Sequence, residues 1–140
     1  MMFTTKTEYG LRAMVALAQN SSDKPLPLSQ ISKQEHISLS YLERLFAKLM
    51  ADDLVVSNKG AAGGYTLSRK PKQISIFEIV EALDGPLSVF YCVGTDKKKF
   101  DCLCSPDKCL TQKVWHELQR SILKTLRGFT LADLVKNKKL

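Results

Sequence analysis

The side chains with the clearest chemical potential are the four cysteines, which all lie in one stretch of the chain. Cys92, Cys102, Cys104 and Cys109 fall within residues 91–115, among lysine, aspartate and glycine residues. A free cysteine packs like a small hydrophobic residue, so purely structural thiols would be scattered among the Leu, Ile and Val positions. The clustering therefore predicts thiolate chemistry, either ligation of a metal or cluster, or redox reactivity.

Ligation of an iron–sulfur cluster accounts well for this segment. Such clusters need several thiolates held close together by flexible backbone, and cysteines a few residues apart supply them. Neighbouring positive charges favour the ionised thiols and offset the negative charge of a cluster. The sequence places three such charges directly before the central cysteines, namely Lys97, Lys98 and Lys99.

Three other uses of the cysteines stay open. A zinc site is chemically reasonable, although Cys102-x-Cys104 departs from the usual C-x₂₋₄-C spacing of zinc ligands. A cluster-free thiol switch would pair Cys102 or Cys104 with Cys109 or Cys92. A redox enzyme would be expected to carry a C-x-x-C motif in a βαβ context. No such motif and no Ser/His/Asp or Cys/His catalytic grouping is evident in the sequence, so we predict that the protein is not an enzyme.

The composition indicates a polyanionic partner. The 140 residues carry a formal net charge of +7, which favours nucleic acid ahead of a membrane surface. A chain of this length can bury a core without disulfides. Lys6, Glu8 and Arg12 interrupt the N-terminal apolar pattern, and no apolar run is long enough to span a bilayer. We therefore expect a cytoplasmic protein without a membrane partner, in a compartment where thiols stay reduced.

Hydrophobic spacing predicts a mainly helical domain that contains a helix-turn-helix. The first helix runs to about Ala18, Ser29 is expected to cap a short second helix, and YLERLFAKLMADD forms a third helix with one apolar stripe. A short helix, a tight break and a second amphipathic helix can place an exposed helix face in a major groove. Ser or Thr followed three residues later by an acid predicts capping boxes at Thr5/Glu8, Ser40/Glu43, Ser75/Glu78 and Thr130/Asp133.

The segment LVVSNKGAAGGYTL predicts a β-hairpin after the third helix. Two β-prone runs, 54–57 and 65–67, flank a loop with three glycines and Lys59. Glycine lets the backbone approach phosphate closely, and a lysine there would neutralise it. Together with the helix-turn-helix this makes a winged helix. The basic and glycine residues expected to face DNA on the third helix and the wing are Arg44, Lys48, Lys59, Gly60 and Gly63.

A long helix after the cysteines predicts a homodimer. SIFEIVEALDGP forms a fourth helix that Gly85 and Pro86 end, and the long helix runs from about Leu110 to Arg127. Its apolar face is broader than one small domain needs, which suits a dimer interface and two DNA half-sites. The alternative is that this helix covers its own subunit. The predicted fold is mainly α with a small β-hairpin wing: a winged helix-turn-helix over residues 1–85, a cysteine-rich loop over 86–109, and a dimerisation helix and tail over 110–140.

Five motifs spread through essentially the whole chain carry a family resemblance: YGLRAMVALA, ISLSYLERLF, GAAGGYTLSR, ISIFEIVEALDGPL and CLTQKVW. They resemble the Rrf2 family of winged-helix regulators, in particular its IscR-like branch of iron–sulfur cluster sensors. The resemblance implies a homodimeric transcription factor on a double-stranded DNA operator, responding to cluster supply, iron, oxidants or nitric oxide. It also implies contacts to DNA from the third helix by Ser38, Ser40, Tyr41, Glu43 and Arg44, with Lys59 and nearby glycines in the wing.

The cluster ligands are expected to depart from the pattern of this branch. Its members carry three cysteines and place histidine where this chain has Gln112, whose amide is a poor iron ligand. The chain also has one cysteine more than the pattern needs. Cys102 is the first choice for the fourth position, and Glu8 is the second, because nitric-oxide-sensing relatives carry an acid there. A 2Fe–2S cluster is favoured and 4Fe–4S is the alternative, and the three expected cysteine ligands are Cys92, Cys104 and Cys109. A zinc-binding or thiol-switch protein of the same fold is the alternative function.

Overall fold

The computed structural model describes residues 3–20, 24–90, 93 and 109–136. In chain order the elements are α1 (Thr5–Gln19), α2 (Leu28–Glu35), α3 (Leu39–Ala51), β1 (Val55–Asn58), β2 (Gly64–Leu67), a 3₁₀ turn (Pro71–Gln73), α4 (Ile76–Asp84), α5 (Gln112–Gly128) and α6 (Leu131–Lys136). The mainly helical fold with a two-stranded antiparallel hairpin confirms the predicted fold class. No helix within the described ranges is long and apolar enough to cross a membrane.

The core forms where α1, α3 and α4 pack together and the hairpin closes one side. Met14 of α1 and Phe46 of α3 are completely buried, and the ring of Phe46 meets that of Tyr65 in β2 edge-on at 4.9 Å. Burying each large apolar side chain contributes about 1.5–3 kcal/mol to folding. The wing is therefore fixed to the helix-turn-helix through the same core that holds α3.

Two of the four predicted capping boxes are confirmed. The Ser75 hydroxyl accepts from the backbone N–H of Glu78, and the Glu78 carboxylate accepts from the Ser75 N–H at 2.9 Å. Asp133 and Thr130 make the same exchange at the start of α6. The two helix starts also pair with each other, because the Ile76 N–H donates to the Phe129 carbonyl and the Leu131 N–H donates to the Ile74 carbonyl.

The other three predicted N-caps are wrong. Thr4, not Thr5, caps α1 by accepting from the Lys6 N–H, while its own hydroxyl donates to Asp84. Ser38, not Ser40, caps α3, and Pro27 precedes α2, so Ser29 lies inside that helix. At the start of α1, the hydrogen bonds from Thr4 to Asp84 favour Thr4 over Thr5. Leu28, the first residue of α2, is buried.

Glu78 also joins the base of the wing to α4. Its carboxylate accepts from Arg69, just after β2, at 2.9 Å. Burial is the largest single influence on the pKa of Glu78 and raises it, but hydrogen bonds from Ser75 and Arg69 together with the arginine charge outweigh it. The pKa of Glu78 therefore lies below its ordinary value, and the carboxylate is ionised near neutral pH.

The C-terminal end of α4 is held by α1 and α3. The Asp84 carboxylate accepts from the Thr4 N–H at 3.0 Å and from the hydroxyls of Thr4 and Thr7. Lys48 of α3 donates to the Leu83 carbonyl at 3.3 Å. Gly10 of α1 leaves no room for a Cβ against the buried Leu83 side chain. These contacts fix where the chain leaves α4 and turns toward the cysteine segment.

The two C-terminal helices differ in how they pack. In α6 Leu131 is fully buried in the core of α1–α4, and its N–H donates to the Ile74 carbonyl. In α5, by contrast, Gln119 is the one residue that the described part of the structure buries. The α6 end of the predicted 110–140 segment thus shares the core of α1–α4, whereas α5 lies along its surface.

We predict that Asp84→Asn lowers stability near neutral pH by about 1 kcal/mol, because charged hydrogen bonds to Thr4 and Thr7 weaken. Burial raises the pKa of Asp84, but those bonds and the Lys6 charge outweigh it and hold the pKa below its ordinary value of 3.8. Ionised Asp84 therefore stabilises the fold above about pH 4, and this contribution is lost as pH falls through the lowered pKa. Urea unfolding between pH 3 and pH 7 measures it.

The matched control for this prediction is Asp52→Asn, since Asp52 is exposed and directly follows the last residue of α3. An Asp84→Asn variant as stable as the parent at neutral pH, or one whose deficit grows in acid, would contradict the assignment.

Candidate nucleic-acid interface and thiol segment

The turn between α2 and α3 sets the direction of the third helix. His36 ends α2 in the left-handed region, with φ 55° and ψ 44°. The next residue, Ile37, is 5% exposed, and its carbonyl accepts from the Ser32 hydroxyl at 2.6 Å. Arg12 of α1 donates to the Glu35 carboxylate at 3.2 Å and to its carbonyl at 2.7 Å. Hydrogen bonds at Glu35 and at Ile37 thus hold the tight turn predicted from ISLS before and after His36.

The outward face of α3 carries Ser40, Glu43 and Arg44. All three are exposed, whereas Leu42 and Leu45 are buried, so the helix divides along the predicted stripe. Because Ser38 is the cap, Glu43 is not needed to close a capping box. Among the described residues neither Glu43 nor Arg44 has a hydrogen-bond or ion-pair partner. These side chains, with the exposed Ser38 at the helix start, are available to a ligand.

Tyr41 and Lys48 lie at the edge of that face. Tyr41 is half-buried, with its ring edge-on to Tyr9 at 5.9 Å and its hydroxyl 3.4 Å from the Thr5 hydroxyl. Lys48 is exposed, but its ammonium group donates to the Leu83 carbonyl at 3.3 Å. Both residues therefore also hold α3 in place, whereas Arg44 makes no such contact among the described residues.

The wing presents a basic tip shaped by glycine. Lys59 and Gly60 are exposed, and Gly60 has a φ of 114°. The Gly63 N–H donates to the Gly60 carbonyl at 2.9 Å, and a Cβ at Gly63 would lie 2.7 Å from the Asn58 carbonyl. The turn accordingly excludes a side chain at Gly63 and leaves Lys59 at the surface. This geometry suits close approach to a phosphate backbone.

Two exposed apolar residues belong to the same surface, and they were not identified from the sequence. Leu39, in the first turn of α3, is 41% exposed, and Ala47 lies one turn beyond Glu43 on the outward face. Helical spacing could have identified Ala47, but Leu39 resembles a core position in the sequence. Apolar groups in a major groove can contact thymine methyl groups.

The structure describes one cysteine of the thiol segment. Cys109 is half-buried just before α5, with its Sγ 3.4 Å from the Thr111 hydroxyl. Cys92, Cys102 and Cys104 lie outside the described residues, as do Lys97, Lys98 and Lys99. Glu8 is exposed on α1 and, contrary to the prediction, is not part of a capping box. Across the ranges that the structure covers, no three potential metal-ligating side chains come together.

Comparison with known proteins finds transcriptional regulators over the full length. A family model described as Rrf2, iron-dependent transcriptional regulator, matches residues 3–137. The HTH-type transcriptional regulator IscR of Cronobacter sakazakii is 39% identical over 137 residues, which cover 98% of this chain and 82% of the relative.

Solved structures of such regulators are also similar to nearly the whole chain. IscR of T. potens superposes with a TM-score of 0.77 at 34% identity, covering 99% of this chain and 89% of that one. CymR, described as the global cysteine regulator of B. subtilis, has a TM-score of 0.82 at 29% identity and covers 99% of both chains. The similarity extends over α5 and α6 as well as the winged helix.

We predict that Arg44→Ala and Lys59→Ala each weaken DNA binding without changing stability, because both side chains are exposed. Loss of one phosphate contact should reduce the slope of log affinity against log salt by about 0.9. Fluorescence anisotropy over a salt series, on the DNA upstream of the gene that encodes the protein, measures the affinity and the slope.

The control, Lys136→Ala, removes the same charge from an exposed position at the end of α6 and should leave the slope unchanged. Unaltered affinity and slope for both Arg44→Ala and Lys59→Ala would show that DNA does not contact this face.

Proposed function

Because the chain belongs to the Rrf2 family of iron-dependent transcriptional regulators, we propose that it binds operator DNA through α3 and the wing under the control of an iron–sulfur cluster. The observation that carries the proposal is the combination, in one short chain, of an exposed helix-turn-helix face with a segment containing every cysteine. Cluster supply, iron, oxidants or nitric oxide would then be read out as a change in operator affinity.

The DNA side of the proposal assigns two kinds of contact. The outward face of α3 is proposed to enter the major groove, with Ser40, Glu43 and Arg44 toward base edges and phosphates. Ser38 lies where the helix N-terminus favours a phosphate. Lys59, with the Gly60–Gly63 turn, is proposed to contact the backbone beside the groove. Tyr41 and Lys48 would set the position of α3 as well as border the DNA.

The donor set fits an iron–sulfur cluster in chemical type. Cys109 lies three residues before the first residue of α5, and Thr111 makes no side-chain cap there, so backbone N–H groups and the helix dipole favour a thiolate at this end. The proposed ligands are Cys92, Cys104 and Cys109, with a 2Fe–2S cluster favoured over 4Fe–4S. A bound cluster would supply a centre whose loss or oxidation removes the link between these thiolates.

Cys102 remains the first choice for the fourth ligand and Glu8 the second. Cys102 lies in the same segment as the other thiols. Glu8 is exposed and can accept a ligand role, but the start of α1 lies beside the C-terminal half of α5, where Phe3, Ser121 and Leu126 line one cavity. About 14 Å of helix separates Ser121 from the first residue of α5, which counts against Glu8 within one protomer.

A thiol switch without a cluster is the second candidate function. The similarity to CymR, a global cysteine regulator, favours it. In this case Cys102 or Cys104 would form a disulfide with Cys109 or Cys92 under an oxidant, and the same segment would bind no iron. A zinc site is the remaining alternative, and metal analysis of the purified protein separates all three.

A homodimer through α5 completes the proposal. Val114 is 61% exposed and Leu118 is 41% exposed, and the two lie one turn apart on the same stripe. Gln119, which α5 turns toward its own subunit, lies about 100° away around the helix. The stripe therefore stays uncovered in the single chain, and pairing it with a second copy would bury it.

We predict that Leu118→Glu converts the dimer into a monomer, because pairing would bury a charge on the uncovered stripe. Its dissociation constant should rise more than about a hundredfold. Light scattering at micromolar concentration gives the mass, and His116→Glu, on the opposite and exposed side of α5, is the control. A parent protein that is monomeric, or a dimeric Leu118→Glu variant, would rule out this interface.

We predict that protein purified without oxygen contains iron and sulfide and is coloured, and that Cys92→Ala or Cys109→Ala abolishes the visible absorption. Each change removes one thiolate from the proposed ligand set. Parallel spectra of Cys102→Ala and Glu8→Gln identify the fourth ligand as the variant that loses the cluster.

Full cluster content in either Cys92→Ala or Cys109→Ala would disprove the ligand assignment. A colourless parent that contains zinc would select the zinc alternative, and a metal-free parent that gains an internal disulfide with oxidant would select the thiol switch.

A further inference from the structure

Gln119 joins the N-terminal half of α5 to the backbone that follows α4. Its side chain is 9% exposed. Its Nε2 donates to the Leu87 carbonyl at 2.8 Å, and its Oε1 accepts from the Val89 N–H at 2.9 Å. The bond to Leu87 is buried, so loss of the amide would leave that carbonyl without a partner and away from water.

A stacked pair of rings lies beside this contact, one turn earlier on α5. The ring of Phe90 stacks on that of Trp115, with centroids 5.0 Å apart and planes 10° apart. Trp115 and Gln119 are four residues apart and therefore lie on the same side of the helix. Residues 87–90, which we name the strap, thus contact α5 over about one helical turn.

The C-terminal end of α5 is attached separately. The guanidinium of Arg127 lies 4.5 Å from the centre of the Phe77 ring of α4. Leu126 is half-buried against the core. Directly after α5, the Phe129 carbonyl accepts from the Ile76 N–H at the start of α4 at 2.9 Å. This end of the helix is therefore held by α4 and the core without the strap.

The two attachments together determine the direction of α5. One attachment fixes the position of a helix end, and a second, some distance along the axis, is needed to fix where the helix points. Arg127 follows Gln119 by eight residues, which is about 12 Å along the axis. Among the described residues of α5 no side chain other than that of Gln119 is buried. The strap therefore supplies the second attachment.

We propose that Gln119 is a positioning residue for operator recognition: by holding the strap on α5 it sets the angle between α5 and the winged helix. The inference rests on the proposed function, in which α5 joins two copies and α3 of each copy contacts one half-site. In such a dimer the angle of α5 in each copy determines how far apart the two α3 helices lie. A fixed angle selects operators with one half-site spacing.

An amide suits this role because it offers one donor and one acceptor, which match the Leu87 carbonyl and the Val89 N–H. A carboxylate would offer acceptors alone and would lose the bond to Leu87. Leucine has a similar size but would leave both backbone groups unpaired. Gln119→Leu is therefore the variant that releases the strap with the least change in side-chain volume.

The test compares two operators that differ only in spacing, using full-length protein purified without oxygen. Footprinting on the DNA upstream of the gene that encodes the protein defines the half-sites. The second operator carries one additional base pair between them, which moves them apart by about 3.4 Å and rotates one by about 34°. Fluorescence anisotropy gives both affinities, and light scattering confirms the dimer.

The parent should bind the extended operator about tenfold more weakly than the natural one. In Gln119→Leu this ratio should fall to about threefold or less, because a helix that can change direction adapts to either spacing. The same substitution at exposed Gln34 of α2 is the control and should keep the ratio of the parent. A loss of folded protein would lower both affinities alike and leave the ratio unchanged.

Fluorescence without DNA supplies a second readout, since Trp115 is the one tryptophan of the chain. Gln119→Leu should shift its emission to the red as Phe90 leaves the indole. Phe90→Ala serves as an independent variant, because Phe90 is 43% exposed and its removal spares the core. It too should lower the ratio, and it replaces Gln119→Leu should that variant not fold.

A folded Gln119→Leu dimer that keeps the ratio of the parent, or the emission of its tryptophan, would overturn the proposal. So would an unchanged ratio in Phe90→Ala should Gln119→Leu not fold, or a parent that binds both operators equally well. These outcomes leave the proposed function intact. A parent that is monomeric or does not bind the DNA would instead refute the proposed function, and this inference with it.

Discussion

The backbone between Leu83 and Val89 is the point on which the rest of the structure depends. The Leu83 carbonyl accepts from Lys48 of α3, Asp84 accepts from the start of α1, and Leu87 and Val89 pair with Gln119 of α5. The helix proposed to read DNA, the N-terminal helix and the long helix thus meet on seven consecutive residues. The same stretch then leads directly into the segment that contains the cysteines.

Under the proposed function, this arrangement would give thiol chemistry a short physical route to the face of α3 that is proposed to bind DNA. Val89, which is held on α5, follows Leu83, whose carbonyl accepts the hydrogen bond from α3, by only six positions. Allosteric coupling between two sites usually amounts to about 1–3 kcal/mol, and a hydrogen bond to a charged group contributes about the same. In that proposal, the bond between Lys48 and Leu83, together with those to Asp84, would be of the size needed to shift operator affinity. Large rearrangements of the core are not required.

The sequence predicted the fold well where one local pattern had no competitor. The hairpin strands lie within one residue of their predicted bounds, because the glycine loop leaves a single place for the turn. The Ser75 and Thr130 boxes were correct for the same reason. At the start of α1, Thr4 and Thr5 are adjacent, and the hydrogen bond of Thr4 with Asp84 favours Thr4 as the cap. Periodicity cannot supply that information.

The functional surfaces were predictable to different degrees. Exposure of Ser40 and Arg44 follows from the apolar stripe of α3, so helical spacing sufficed. Lys48 was assigned to the DNA face by the same spacing, but its bond to Leu83 depends on how α4 ends. The buried position of Gln119 could not be predicted from the sequence, because a glutamine within an amphipathic helix normally faces solvent. Its two backbone partners also lie about thirty residues earlier in the chain. Such residues become visible only when tertiary hydrogen bonds are known.

The most direct test of the account compares operator affinity in one anaerobic preparation before and after the cluster is removed by a chelator and an oxidant, with thiols then reduced again. Fluorescence anisotropy at fixed salt, on the DNA upstream of the gene that encodes the protein, measures the affinity with and without the cluster. The account predicts that the two differ by about tenfold or more, which corresponds to about 1.4 kcal/mol of coupling. Equal affinities in a preparation that had contained iron and sulfide would contradict it.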